Sequence, residues 1–159
     1  MQLSKHLSLA EVIRSESAKR LGISNMPTTQ HLENFKKLAE NVFEPIRKHF
    51  NIPIHISSAY RSQALNAAIG GSLSSQHCKG EALDLDMDGT SITNKQVFDY
   101  IKDHIKFDQL IAEFPRNGNP EWIHVSYDSS GKQRNQILVA KKVKGKTVYS
   151  HYKSAKDLV

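Results

Sequence analysis

Between Thr29 and Phe50 the apolar residues Leu32, Phe35, Leu38, Ala39, Val42, Phe43, Ile46 and Phe50 recur at intervals of three and four, which predicts one long amphipathic helix. Thr28 or Thr29 is placed to cap it, and Pro45, which has no N–H, predicts a kink or restart near Phe43 to Pro45. Upstream, Ser8 and Glu11 have the capping-box spacing, so a short helix is predicted from Leu9, and Gly22 is placed to end the next helical piece. Ser62 to Ile69, which stops at Gly70-Gly71, and Thr93 to Ile105 also read as helices.

The period then changes to two. In Ala82 to Asp88, Leu83, Leu85 and Met87 alternate with Ala82, Asp84, Asp86 and Asp88, so one face of a strand turns inward and the other carries carboxylates into a groove. Ile52 to Ser57, Gln109 to Phe114, Trp122 to Tyr127 and, as the last, Ile137 to Val143 are also predicted strands, and Ser72 to Gly80 reads as a polar loop. Helices that precede and interrupt a mainly antiparallel sheet predict an α+β fold in one domain over residues 1–159, with no repeat or linker to divide it.

Composition adds little to the fold and more to the chemistry. A 159-residue chain with 38% apolar residues can bury a core without disulfides or a structural metal, so a metal would serve chemistry. Its single cysteine, Cys78, excludes an intrachain disulfide framework and a four-cysteine zinc site. The first ten residues lack the apolar run and cleavage site of a secretory signal, and no stretch approaches membrane-spanning length. Charge is uneven: residues 129–159 carry eight basic side chains against Asp157, a balance of +7, whereas residues 51–128 are acidic. This basic segment reads either as a solvated face or as a surface-targeting extension toward an anionic wall or membrane; no aromatic-interleaved nucleic-acid motif accompanies it, so nucleic acid is not the expected partner.

His77, Asp84 and His124 are candidate zinc ligands, with Glu121 three positions before His124. Zinc in hydrolases commonly takes three nitrogen or oxygen donors and leaves a fourth position for water, whose pKa falls to about 7. Eight histidines and sixteen acids offer many such sets by chance, and the surrounding residues single this one out. Ser57-Ser58-Ala59-Tyr60-Arg61-Ser62, then Ser75-Gln76-His77-Cys78-Lys79-Gly80-Glu81-Ala82-Leu83-Asp84, then Glu121-Trp122-Ile123-His124, resembles the zinc D-alanyl-D-alanine carboxypeptidase family, which includes bacteriophage endolysins and shares its scaffold with the hedgehog signalling domain. The pattern Ser-x-His-x-x-Gly-x-Ala-x-Asp followed by Glu-x-x-His is matched at every fixed position, and Ser17 to Arg61 looks like the phage-type branch.

The resemblance implies a hedgehog/DD-peptidase-like fold, one zinc held by His77, Asp84 and His124, and hydrolysis of an amide in peptidoglycan stem peptides. Glu121 is then the expected general base and acid, and Arg61 the donor to the oxyanion or to a substrate carboxylate. Small residues at Gly80 and Ala82 would let the loop fold back toward the ion. Residues three apart on a strand face opposite ways, so Glu121 is expected in a turn after Asn119-Pro120, or beside a bulge at Trp122, with His124 and Ser126 toward the groove. Ser75 lies near the substrate or bonds its own backbone; Asp86 orients a ligand imidazole or is solvated; Trp122 lines the cleft or fills core; Cys78 is a non-ligand.

The expected partner is a peptidoglycan peptide, met by a monomer released through a lysis system or carried in a virion. The competing expectations are a non-catalytic zinc-containing wall-binding or virion module of the same fold, and a nucleic-acid binder using the basic segment. Terminal D-alanyl-D-alanine, a cross-link and the L-alanyl-D-glutamate bond all remain open as the scissile linkage.

Overall fold

The computed structural model describes residues Met1–Val159. Helices α1 (Leu9–Ile13), α2 (Glu16–Leu21), α3 (Thr29–Leu38) and α4 (Glu44–Phe50) precede strand β1 (Ile56–Ser58), α5 (Gln63–Ala68) and β2 (Ala82–Leu85). They are followed by α6 (Asn94–His104), β3 (Gln109–Glu113), β4 (Trp122–Ser126), β5 (Gln136–Val143) and β6 (Lys146–His151). The six strands form one sheet in the order β1-β2-β4-β3-β5-β6, antiparallel except for the β3–β5 pair. This is the α+β architecture expected from the sequence. No helix is long and apolar enough to cross a membrane.

Local chemistry accounts for the helix ends. Ser8 and Glu11 form the capping box of α1, Gly22 ends α2 in the left-handed region, and Thr28 caps α3 through its hydroxyl. Pro45 cannot donate to the carbonyl four residues back, and the ladder widens ahead of it into a π turn over Ala39–Phe43, where the Glu44 N–H reaches the Ala39 carbonyl. The apolar stripe survives this restart, because Leu38, Ala39, Val42, Phe43 and Ile46 are all buried.

Alternation in the strands separates two faces. Leu83, Leu85, Leu110, Ala112, Ile123, Val125 and Val139 join the stripe of α3–α4 and residues Val97, Phe98 and Ile101 of α6 in the core. The opposite face carries Asp84, Ile111, Glu113, Trp122, His124 and Leu138, which line a groove of about 890 Å³. Three strand expectations change. The first strand begins at Ile56 instead of Ile52, because Pro53 lacks the donor that a ladder needs there. The second ends at Leu85, before Asp86 and Asp88. The strand ending at Val143 is not the last: Lys144 and Gly145, both at positive φ, turn the chain into β6.

Residues 129–159 are therefore built into the sheet. Val139, Ala140 and Leu158 are fully buried, and the Leu158 carbonyl accepts the Gly118 N–H at 2.9 Å. Three residues after His77, Gly80 sits at φ +72°, where a Cβ would lie 2.4 Å from the His31 carbonyl oxygen of α3. A Gly80→Ala substitution combines left-handed strain with a backbone clash, and is expected to cost on the order of 2 kcal/mol. Denaturant unfolding should show that loss together with weaker zinc binding; full stability would contradict the close approach.

Candidate metal centre

Three separate stretches supply the centre. His77 lies on a 3-10 turn over Gln76–Lys79, Asp84 on β2 and His124 on β4, where Asp84 and His124 are direct cross-strand partners. The turn is held from several sides. Its His77 carbonyl accepts the Arg61 N–H, and the Lys79 carbonyl accepts the Asn34 side chain from α3. The Gln76 amide donates to Asp108 at 3.0 Å. Asp108 is buried at the foot of β3 and is also clasped by the Arg134 backbone and guanidinium.

The donor geometry fits one zinc ion. His77 Nε2 lies 3.3 Å and His124 Nδ1 3.1 Å from Asp84 Oδ1, and one ligand atom from each residue lies within 4.8 Å of the others. Ligands about 2.0–2.1 Å from a tetrahedral zinc stand roughly 3.3 Å apart, so Asp84 is already near the required spacing to both imidazoles. His77 Nδ1 is 2.6 Å from the Ala59 carbonyl, which makes it the N–H donor and leaves Nε2 with its lone pair toward the centre. Burial opposes the Asp84 charge, but His77 and His124 outweigh it and hold the carboxyl far below the usual aspartate range. The only two buried side-chain polar atoms without a partner are His124 Nε2 and Arg61 Nε, and both belong to residues of this groove.

The remaining sequence-selected residues divide. Arg61 lines the groove, its Nη1 donating to Asn66 at 3.3 Å. Ser75 and Trp122 also line it; the Ser75 hydroxyl makes no hydrogen bond within the protein, and the Trp122 ring packs 5.2 Å from that of Phe114. Cys78 is buried and outside the donor cluster. Asp86 does not reach either imidazole: it accepts from Asn94 and the Asp88 N–H past the end of β2, and a backbone oxygen orients His77 instead.

Two acids lie near the cluster, Glu121 and Glu113. Glu121 does lie in the bend entering β4, yet its N–H is still bound by Glu113 of β3 and its carboxylate turns to Arg116 at 2.9 Å, off the groove lining. The carboxylate that the sheet delivers into the groove is Glu113, directly across from Trp122 and one row from His124. Glu113 is buried; desolvation first and the Asp84 charge second push its pKa up to about 7, against the opposing pull of His124. Such a group can both accept and return a proton near neutrality.

A family model for peptidase M15 matches residues 5–126, well over half of the chain, and its segment contains His77, Asp84, His124, Arg61 and Glu113. The chain belongs to the peptidase M15 family. M15 peptidases are zinc-dependent, in agreement with the His-Asp-His geometry. A search among curated proteins found no significant match. The M15 segment ends at Ser126, so β5 and β6 lie beyond it.

Two outcomes are expected. Added zinc should raise the thermal midpoint of the purified chain by linkage, about 2.7 kcal/mol at a hundredfold excess over Kd, and Asp84→Ala should abolish that rise; an equal rise in the variant would place the ion elsewhere. Burial raises the Asp108 carboxyl, but hydrogen bonds from Arg134 and Gln76 outweigh it and hold the pKa below its ordinary value. Its stabilisation is therefore present above about pH 4 and lost as the pH falls through the lower folded value. Asp108→Ala should cost on the order of 2 kcal/mol at pH 7 and flatten acid unfolding followed by circular dichroism; an unchanged acid limb would contradict this.

Proposed function

We propose that this M15 peptidase hydrolyses an amide bond in peptidoglycan stem peptides, with Glu113 in place of Glu121 as the proton-transfer group. The observation that carries the reading is the burial of Glu113 on the groove face beside the His77–Asp84–His124 cluster, while Glu121 pairs with Arg116 outside it. A bound zinc ion supplies Lewis acidity that polarises the scissile carbonyl and makes water nucleophilic at neutral pH.

The chain's own residues supply the rest. Glu113 takes the proton from the attacking water and passes it to the leaving amine, and its elevated pKa suits both transfers. Arg61 lines the groove with its guanidinium steadied by Asn66, and there it holds the negative charge that develops on the carbonyl oxygen, or a substrate carboxylate. A preorganised donor of this kind contributes about 3 kcal/mol to transition-state binding. Trp122 forms a wall against which the peptide lies, and Ser75 offers an unpaired hydroxyl at the loop side.

A role in wall lysis, as a phage-type endolysin or a virion component, is part of the same reading. Lys141, Lys144 and Lys146, at and beside the β5–β6 turn, support retention on an anionic wall, since attraction of this sort reads charge and not sequence.

The test is mass spectrometry of purified sacculi digested by zinc-loaded variants. Glu113→Gln should retain zinc and lose about 10²- to 10⁴-fold in kcat, whereas Glu121→Gln should stay within about twofold of the wild type. The reverse pattern would return the base to Glu121. Wild type that binds zinc but releases no peptide would make the chain a binding module.

A further inference from the structure

The row of side chains that holds Glu113 continues beyond β3. Parallel register sets Glu113 beside Ala140, and antiparallel register sets Ala140 beside Tyr149, so Trp122, Glu113, Ala140 and Tyr149 stand in line across four strands. With strands about 4.8 Å apart, Tyr149 is some two strand spacings from Glu113, and the small side chain of Ala140 leaves the intervening space open to the ring. Tyr149 lines the groove on the same side as Glu113 and Asp84. Yet the residue is 53% exposed and its hydroxyl has no partner in the protein.

One row further on, Lys142 stands across from Thr147, with its Nζ 3.0 Å from the Thr147 hydroxyl and 5.4 Å from the centre of the Phe114 ring. The ring and the hydroxyl hold this ammonium at the groove's rim, and it forms no salt bridge. Both residues lie on the hairpin that follows the M15 segment.

We infer that the β5–β6 hairpin forms a substrate subsite beside the centre, in which Tyr149 packs on the bound peptide as a positioning residue and Lys142 pairs with a peptide carboxylate. The inference rests on the stem-peptide reading above and specifies it: the preferred substrate extends across β3 and β5 and carries a free carboxylate there. An exposed aromatic ring with an unused hydroxyl, next to a cation without an acidic partner, complements an anionic peptide.

The experiment uses the zinc-loaded full chain and two synthetic stem peptides that differ only in whether their side carboxylates are free or converted to carboxamides. Lys142→Glu should raise KM about tenfold for the free-acid peptide at unchanged kcat, and leave the amidated peptide within about twofold. Tyr149→Ala should raise KM for both, with zinc content and thermal midpoint as in the wild type. Equal effects of Lys142→Glu on the two peptides, or an unchanged KM in Tyr149→Ala, would overturn the subsite while leaving the proposed activity in place. Wild type that cleaves neither peptide, together with Glu113→Gln protein that binds neither by calorimetry, would overturn both.

Discussion

The structure depends on keeping one carboxylate, Asp84, between two imidazoles at a spacing that suits one zinc ion. Antiparallel register does half of this, because Asp84 and His124 face each other across the β2–β4 ladder and share one side of the sheet. The other half falls to His77, which has no ladder to hold it. Its turn is secured by the Ala59 carbonyl on the ring, by Asn34 at Lys79, by Asp108 at Gln76 and by the close seat of Gly80 on α3. These contacts set the orientation of the His77 ring as well as its position.

The same register that builds the centre also decides which acids face it. Strand period two sends Gln109, Ile111 and Glu113 to the groove and Leu110 and Ala112 to the core, so Glu113 shares the face of His124. There it meets both desolvation and the Asp84 charge, and two carboxylates so placed cannot both ionise freely. Asp84, flanked by two histidines, is held far below the usual aspartate range, whereas burial and the Asp84 charge push the Glu113 carboxyl up to about 7. Position in one sheet thus sets the two acids apart, Asp84 between two imidazoles and Glu113 in a drier place beside them.

Much of this could be read from residue order alone. The Ser8–Glu11 box, the Thr28 cap, the Gly22 stop and the restart at Pro45 are local signals, and local chemistry realised them. The His-Asp-His set rested on fixed spacing along the chain, and folding brings those donors together. Glu121 was chosen by spacing too, but a separation of three on an extended chain leaves the side chain free to turn, and exposed Arg116 captures it. Glu113 carries one faint signal, an acid at a groove-facing position of a mostly apolar strand; what brings it beside the centre is its pairing with β4, which only tertiary structure supplies. The hairpin is only half legible: Lys144 at positive φ is a poor turn signal beside Asn or Asp, so the sequence pattern marks β5 but not β6, whose basic residues read as an extension.

Zinc K-edge absorption on the reconstituted protein tests the central claim most directly. One ion per chain, with two nitrogen donors and at least one oxygen donor at about 2.0–2.2 Å and no sulfur, is the predicted first shell. A sulfur scatterer near 2.3 Å, which only Cys78 or a methionine could supply, or a chain that retains no zinc, would contradict the assignment of His77, Asp84 and His124 as the metal centre.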